Sequence, residues 1–374
     1  MTLDQRLAVL DAVPDTPAVV VDAPVVRGNV ERMAAMARDS GRGLRPHTKA
    51  HKTLEIARMQ LDAGASGLQV AKLGEAEVLL ASGVTDLFIG YPVVGAAKVA
   101  RLLDLAERVQ LSVSLDSLEV AAPIGRAAHA RGLVIPVLLE LNTGLDRIGV
   151  PPDEGAVDLA LHIAALPGIG FDGVLTHEGH ALPRSATHAE LERETLAACA
   201  QVVWVAEAIR ARGLEVNRVS VGSTATARFG MRAPGVTELR PGTYVFHDVT
   251  TVAQGAATLD DVAIWVVATV VSVHHSWVVV DAGSKTLSSD RVNKRGAPPI
   301  VGQLADRPDY QVVRVNEEHG IIAVPPGSPL RVGDRVAIIP SHACTVVNLT
   351  DELLVAESGA VVDRWRVAAR GRVQ

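Results

Sequence analysis

From Thr16 to Phe246 the chain alternates short apolar runs with stretches of helical spacing, and past residue 248 the alternation stops. The runs are "TPAVVVD", "GLRPHTKAHK", "ASGLQVAK", "DLFIGYP", "VQLSVSLDS", "IPVLLELNTG", "GFDGVLTHEGH", "RVSVGSTAT" and "TELRPGTYVF". Between most of them lie helical patterns such as Val25 to Arg38, Leu54 to Ala63, Leu73 to Gly83 and Glu190 to Arg212. Apolar strands separated by helices are the pattern of a parallel sheet with both faces covered, an α/β fold. The number of units over about 230 residues suits a closed (β/α)8 TIM-like barrel, with an open doubly wound sheet as the fallback.

The later runs, "AIWVVATVVSV", "YQVVRV", "GIIAVPP", "DRVAIIP" and "ELLVAESGAVVDRWRV", are β-branched and broken by Gly, Pro, Asn and Asp. They predict an all-β C-terminal domain. The expected division is a barrel over residues 15–247 and a β domain over 248–374, the latter joined by residues 1–14.

The balance of 36 basic and 42 acidic residues, with no basic run interleaved with aromatics, argues against nucleic acid as a partner. The longest apolar run, Val262 to Val271, is too short to span a bilayer, so no membrane partner is expected. "MTLDQRLAVLDAVPDT" lacks a basic region ahead of an apolar stretch and does not read as a signal peptide. Cys199 and Cys344 are too few for a disulfide scaffold, and a reducing cytoplasm is the simplest setting.

Lysine is scarce, limited to Lys49, Lys52, Lys72, Lys98, Lys285 and Lys294, yet two of these fall in "LRPHTKAHK". On a strand, Arg45, His47, Lys49 and His51 would share one face. That face is either a solvated basic edge or the mouth of a barrel. In the mouth, a lysine crowded by cations and stripped of water would lose its proton and become a nucleophile.

Chemistry in a (β/α)8 barrel gathers where the strands end. Polar clusters stand at such ends: Arg45–His51, Asn142–Arg147, Thr176–His180, Gly222–Thr226 and Gly242–Tyr244. Together they suggest a single pocket. The turn Gly222, Ser223, Thr224 offers close backbone approach, N–H groups and hydroxyls that suit a phosphate, or is merely a hydroxyl-rich turn. Gly242, Thr243 and Tyr244 could supply a second turn to the same group. His177 and His180 in "THEGH" could be a base, a metal ligand or part of a polar loop. His342 and Cys344 in "SHACTVV" would share a face of a strand at a spacing that could grip one metal ion, or are a core cysteine beside a surface histidine.

In this order the motifs "RPHTKAHK", "AKLGEAEVL", "ELNTGLDRIGV", "THEGH", "VSVGSTAT", "TELRPGTYVFHD", "DAGSKTLSSD", "NEEHG" and "PSHACTVVNL" make the chain resemble the D-threonine aldolase and D-serine dehydratase family. That family comprises fold-type III pyridoxal 5'-phosphate (PLP) enzymes on the alanine-racemase-like plan. The resemblance implies that Lys49 carries the cofactor as an imine, with Arg45 helping to keep its amine neutral, and that Lys52 is a surface or supporting residue. It implies that Ser223–Thr224 and Gly242–Tyr244 hold the phosphate and that Arg147 faces the cofactor ring. It makes His342 and Cys344 a divalent-metal pair, Zn2+ being favoured by the thiolate and Mn2+ possible.

The activity so implied is a lyase acting on β-hydroxy-D-amino acids. Retro-aldol cleavage of D-threonine-type substrates to glycine and an aldehyde is the favoured outcome, with His177 or His180 as base. The alternative is dehydration of D-serine or D-threonine to a 2-keto acid and ammonia. A racemase has no evident use for the metal pair. A non-catalytic PLP carrier or a zinc-stabilised interaction module would leave much of the chain without a role. A pocket of this kind is often completed by a second subunit, and a homodimer is expected.

Overall fold

The structure is a computed structural model that describes residues 3–181, 187–292 and 298–374; Lys294 lies outside them. The chain forms two compact units. One comprises residues 32–49, 56–242 and 372–374, and the other residues 1–31, 50–55 and 243–371.

Among the described residues, the first unit is built on eight parallel strands. Their spatial order is Gly43–Leu44, Glu238–Leu239, Arg218–Val221, Ile169–Leu175, Ile135–Glu140, Gln110–Leu115, Asp86–Ile89 and Leu68–Val70. The two end strands meet: Ser66 N–H donates to the Leu44 carbonyl at 2.8 Å, Gln69 N–H donates to the Pro46 carbonyl at 2.8 Å, and His47 bridges Gln69 in parallel. The sheet is thereby closed into the expected TIM-like barrel. Phe88, Leu138 and Leu175 form a fully buried cluster among its strands. Because the strands are parallel, their carboxyl ends all open on one face, where the polar clusters of the sequence follow them.

The second unit is organised by a nine-stranded, mostly antiparallel sheet. Its core joins Val20, Trp265, Val267, Ile339 and Leu354 with Val9 and Val13 from the amino-terminal segment. Arg6 is held there by Asp22 at 2.8 Å and lies 4.9 Å over the Trp265 ring.

Four segments depart from the expected 15–247 and 248–374 division, residues 50–55 among them, which belong to the second unit. "TPAVVVD" supplies no barrel strand. Ala18–Asp22 pairs antiparallel with Ile264–Val273 and parallel with Glu352–Glu357, as an interior strand of the second unit's sheet. A run of apolar residues buried on both faces suits the middle of any sheet, and only its pairing partners distinguish one sheet from another. Residues 243–247 also belong to the second unit, and 372–374 return to the first. The helix Ala23–Asp39 carries the chain from one unit to the other. No helix among the described residues is long and apolar enough to cross a membrane.

Candidate active site

"LRPHTKAHK" is not one strand. The ladder runs from Leu44 through Arg45 and His47, whose N–H groups donate to the Leu239 and Pro241 carbonyls at 2.9 Å. Pro46 has no N–H to give, and beyond His47 the chain tightens into the single 3-10 turn Thr48–Ala50. Thr48 Oγ1 anchors that turn to the Gln69 carbonyl at 2.9 Å. Lys49 N–H donates to Nδ1 of His47 at 3.4 Å, which requires that nitrogen to be unprotonated. The face shared by Arg45, His47, Lys49 and His51 therefore does not exist, and Lys49 sits on a turn at the strand's carboxyl end.

Arg45 is not the cation beside Lys49. It is buried and neutralised, Nε donating to Glu238 at 2.8 Å and Nη1 and Nη2 to Asp86 at 2.8 and 2.9 Å. A buried cation at this end of the barrel is Arg240, which the sequence did not single out. Its side chain is buried and donates to Ser220 Oγ at 2.8 Å, Gln69 Oε1 at 3.3 Å and the Thr176 carbonyl. All three acceptors are uncharged, and burial lowers the pKa of the guanidinium, an effect opposed by the more distant Glu140, Glu238 and Glu178. The only advance signal was an arginine directly after an apolar strand, ahead of Pro-Gly.

His177 lies under the influence of the same charges. Burial first, then the charges of Lys49, Arg147 and Arg240, push its pKa down to about 3. His47 is lowered for the same reasons: burial, then Lys49, Arg240 and His177. Both rings are neutral at physiological pH. His177 Nδ1 faces the Gly222 carbonyl at 3.4 Å, and a carbonyl can only accept. Nδ1 therefore carries the hydrogen and Nε2 the lone pair. A Cβ on Gly179 would stand 3.0 Å from that Nε2, so the glycine of "THEGH" leaves the basic edge uncrowded. His180, two residues on from Glu178, is buried.

Arg147 lines a narrow cleft with His177, Glu140, Asn142 and Thr176. Its side chain is 51% exposed and lies 3.7 Å from Glu140, so it borders the site from solvent.

The turn after Arg218–Val221 has the expected close approach. Gly222 has φ +127°, and a Cβ there would meet the Arg240 backbone nitrogen at 2.9 Å. Its N–H, however, is already committed, donating to the fully buried Glu178 carboxylate at 3.0 Å. The other Glu178 oxygen accepts from Thr226 Oγ1 at 2.8 Å, and Thr226 Oγ1 in turn accepts from Ser223 N–H at 3.0 Å. Glu178 thus shapes the turn, in which Ser223 and Thr224 are half-buried. Gly242 follows Arg240 in the same unit, whereas Thr243 and the buried Tyr244 belong to the other.

Within the second unit, Thr243 Oγ1 lies 3.6 Å from Cys344 Sγ. His342 and Cys344 are not on a strand. The strand Arg335–Pro340 ends before them, His342 is the N-cap of the helix Ala343–Leu349, and Cys344 is in its first turn. His342 Nδ1 lies 3.4 Å from the buried Asp248 carboxylate. The Cys344 thiolate raises the His342 pKa to about 11, with Asp248 adding to the effect against burial. An imidazole and a thiolate backed by a carboxylate make a donor set with excess negative charge, which fits a divalent cation. Among the described residues no third His, Cys, Asp or Glu completes a cluster, so such an ion would keep open positions. Lys52, expected as a surface or supporting residue, is not at the surface: it is buried in this unit with its Nζ 2.8 Å from Asn348 Oδ1.

Two family profiles cover this chain: the alanine racemase N-terminal domain over residues 21–249, and the putative serine dehydratase domain over residues 263–356. The D-threonine aldolase of an Arthrobacter species is 33% identical over 96% of this chain and 93% of its own length. The chain belongs to the D-threonine aldolase and D-serine dehydratase family. It is thus a member of the PLP-dependent lyases of the alanine-racemase-like fold. The crystal structure of a family member, the D-threonine aldolase from Filomicrobium marinum, superimposes with a TM-score of 0.88 at 32% identity, covering 96% of both chains. The D-threo-3-hydroxyaspartate dehydratase of Delftia sp. strain HT23 is 37% identical over 88% of this chain and 91% of its own. A cysteine-to-alanine mutant of that dehydratase, described as being in the metal-free form, superimposes with a TM-score of 0.87 at 33% identity, covering 96% of this chain and 98% of that one.

The barrel unit's residues fit the family's cofactor. Lys49, Arg240 and Arg147 concentrate positive charge beside a hydroxyl-bearing turn, and the histidines among them are held neutral. A phosphate-sized anion, and a carbonyl that the Lys49 amine could join, are what such a place would take.

Proposed function

We propose that this chain cleaves β-hydroxy-D-amino acids of the D-threonine type to glycine and an aldehyde, using PLP on Lys49 and a divalent ion at His342 and Cys344. The observation that carries the reading is His177: a neutral imidazole with its lone pair on Nε2, coupled to the charge of Lys49. Cleavage of the Cα–Cβ bond needs a base for the β-hydroxyl proton, and a tautomerically fixed histidine supplies one. Near 3 its pKa is too low for that task. Loss of the Lys49 charge on joining the cofactor, and entry of an anionic phosphate and carboxylate, would raise it towards neutrality. His180, more deeply buried, is the lesser candidate for that role.

Bound PLP would supply the electron sink for the bonds broken at Cα. Lys49 anchors it, Ser223 and Thr224 with Gly242 receive its phosphate, and Arg240 supplies the fixed cation beneath that site. Arg147 stands at the border, where it can meet the substrate carboxylate. His342 and Cys344 would hold the ion, whose Lewis acidity would favour ionisation of the β-hydroxyl; the thiolate favours Zn2+, with Mn2+ the other choice. A homodimer in the cytoplasm remains part of this reading.

Dehydration to a 2-keto acid and ammonia is the second reading. It is favoured by the 37% identity to the Delftia enzyme, whose name is that of a dehydratase. The test is to incubate PLP-loaded protein with D-threonine, D-serine and D-threo-3-hydroxyaspartate, with added Zn2+ or Mn2+, and to assay glycine, aldehyde and keto acid separately. Glycine with aldehyde supports the aldolase. Keto acid with ammonia moves the assignment to the dehydratase, and neither product from any substrate removes both.

A further inference from the structure

Asp248 is fully buried, and its carboxylate divides its bonds between two segments of the second unit. Oδ1 accepts from Thr251 N–H at 2.8 Å, while Asp248 N–H donates to Thr251 Oγ1 at 2.8 Å. That is the capping box of the short helix Val249–Ala253, and it uses one oxygen. A helix cap needs nothing further. The other oxygen, Oδ2, accepts from Ala343 N–H at 3.0 Å and lies 3.4 Å from His342 Nδ1. One carboxylate therefore holds both the helix end that carries Cys344 and the ring of His342.

An ionised carboxylate can only accept, so the ring nitrogen that faces it carries a hydrogen. The lone pair of a neutral His342 is then confined to Nε2. Histidines that bind metal through Nε2 are commonly fixed in this way by a carboxylate on the opposite nitrogen. The neighbouring contact is of a different kind: Thr250 Oγ1 donates to the Ser341 carbonyl at 2.6 Å, tying the same two segments without touching the ring.

We propose that Asp248 is a positioning residue for the metal centre, fixing the Nε2-ligating form of His342 and the helix end that bears Cys344. This rests on the reading of His342 and Cys344 as metal ligands. PLP-loaded protein stripped of metal is titrated with Co2+, following the thiolate-to-cobalt absorption, and its Zn2+ affinity is measured by competition with a chelator. Asp248→Asn keeps a carbonyl oxygen for Thr251 but turns an amide towards Ala343 N–H and the imidazole. It is expected to weaken metal binding by about 10- to 100-fold. Thr250→Val, which loosens the same segments but leaves the ring alone, is expected to bind within about 3-fold of wild type, short of that range. The cofactor absorbance of both variants should be unchanged. If Asp248→Asn does not fold, Asp248→Ser keeps a cap for Thr251 and lacks the reach to Nδ1.

Equal metal affinity in the Asp248 variant and wild type overturns the inference, as does an equal loss in Thr250→Val. Failure of wild type to bind Co2+, or undiminished binding by His342→Ala, instead overturns the metal reading beneath it.

Discussion

Arg45 Nε donates to Glu238 Oε2 at 2.8 Å, and both side chains are within the barrel wall, nearly free of water. Burial opposes the charge on Arg45, but Glu238 and Asp86 together hold its pKa above the ordinary value. The Glu238 pKa is lowered in turn: burial opposes its charge, but Arg45 is the largest favourable influence. Arg45→Met should leave Glu238 charged and uncompensated at that site, at a cost of about 3–5 kcal/mol. The expected result is a lower urea midpoint with unchanged slope; a midpoint equal to that of wild type would show the pair to be dispensable.

Lys49 and Lys52 should separate cleanly. Lys49→Ala should abolish fixation of PLP by borohydride and lower turnover by roughly 10^2- to 10^4-fold or more. Lys52→Met should keep the fixed cofactor and lose stability, because the bond to Asn348 is internal to the second unit. Mass spectrometry of borohydride-treated peptides decides which lysine carries the label.

The depressed pKa of His177 predicts an acid sensitivity with a definite sign. In the unfolded chain the ring takes a proton near 6.5, whereas in the fold it does so near 3. Between those values the unfolded state binds more protons, so stability falls as pH drops from 6.5 towards 3. His47 acts in the same direction. In cofactor-free protein, His177→Asn should lose less melting temperature than wild type between pH 7 and pH 5. An identical loss in both proteins would show that the ring is not held neutral.

Glu178 and Gly222 offer a test of the turn. Gly222→Ala must place a Cβ 2.9 Å from the Arg240 backbone nitrogen at a φ that L-residues rarely adopt. Strain of about 1–3 kcal/mol is expected, which would weaken PLP affinity by roughly 5- to 150-fold. Glu178→Gln presents an amide to one of two donors and should weaken PLP binding in the same sense. Titration of cofactor-free protein with PLP, read at the imine absorbance, measures both.

The (β/α)8 plan was legible because apolar runs and helical stretches alternate, and because several barrel strands run into clusters of Gly, Ser, Thr, His or Asn. Lys49, His177 and Ser223 could be singled out on that basis, since a parallel barrel brings all its strand ends to one face. Arg240 was missed because a buried arginine and a surface arginine look alike in sequence. What distinguishes it is the set of neutral acceptors it reaches, Ser220, Gln69 and Thr176, which come from three other strands or their ends. Asp248 was missed for a related reason: its partners at 342 and 343 are remote in the chain.

The amino-acid order by itself determined the periodicities, the scarcity of lysine and the motif series that places the chain in its family. Those properties are local, or repeat at short range, and need no partner to be read. Only the tertiary structure decided that Ala18–Asp22 belongs to the antiparallel sheet, that Arg45 is neutralised while Arg240 is not, and which nitrogen of His177 is basic. Each of these depends on a hydrogen bond or ion pair between residues far apart in sequence, and such pairings exist only once the chain has closed on itself.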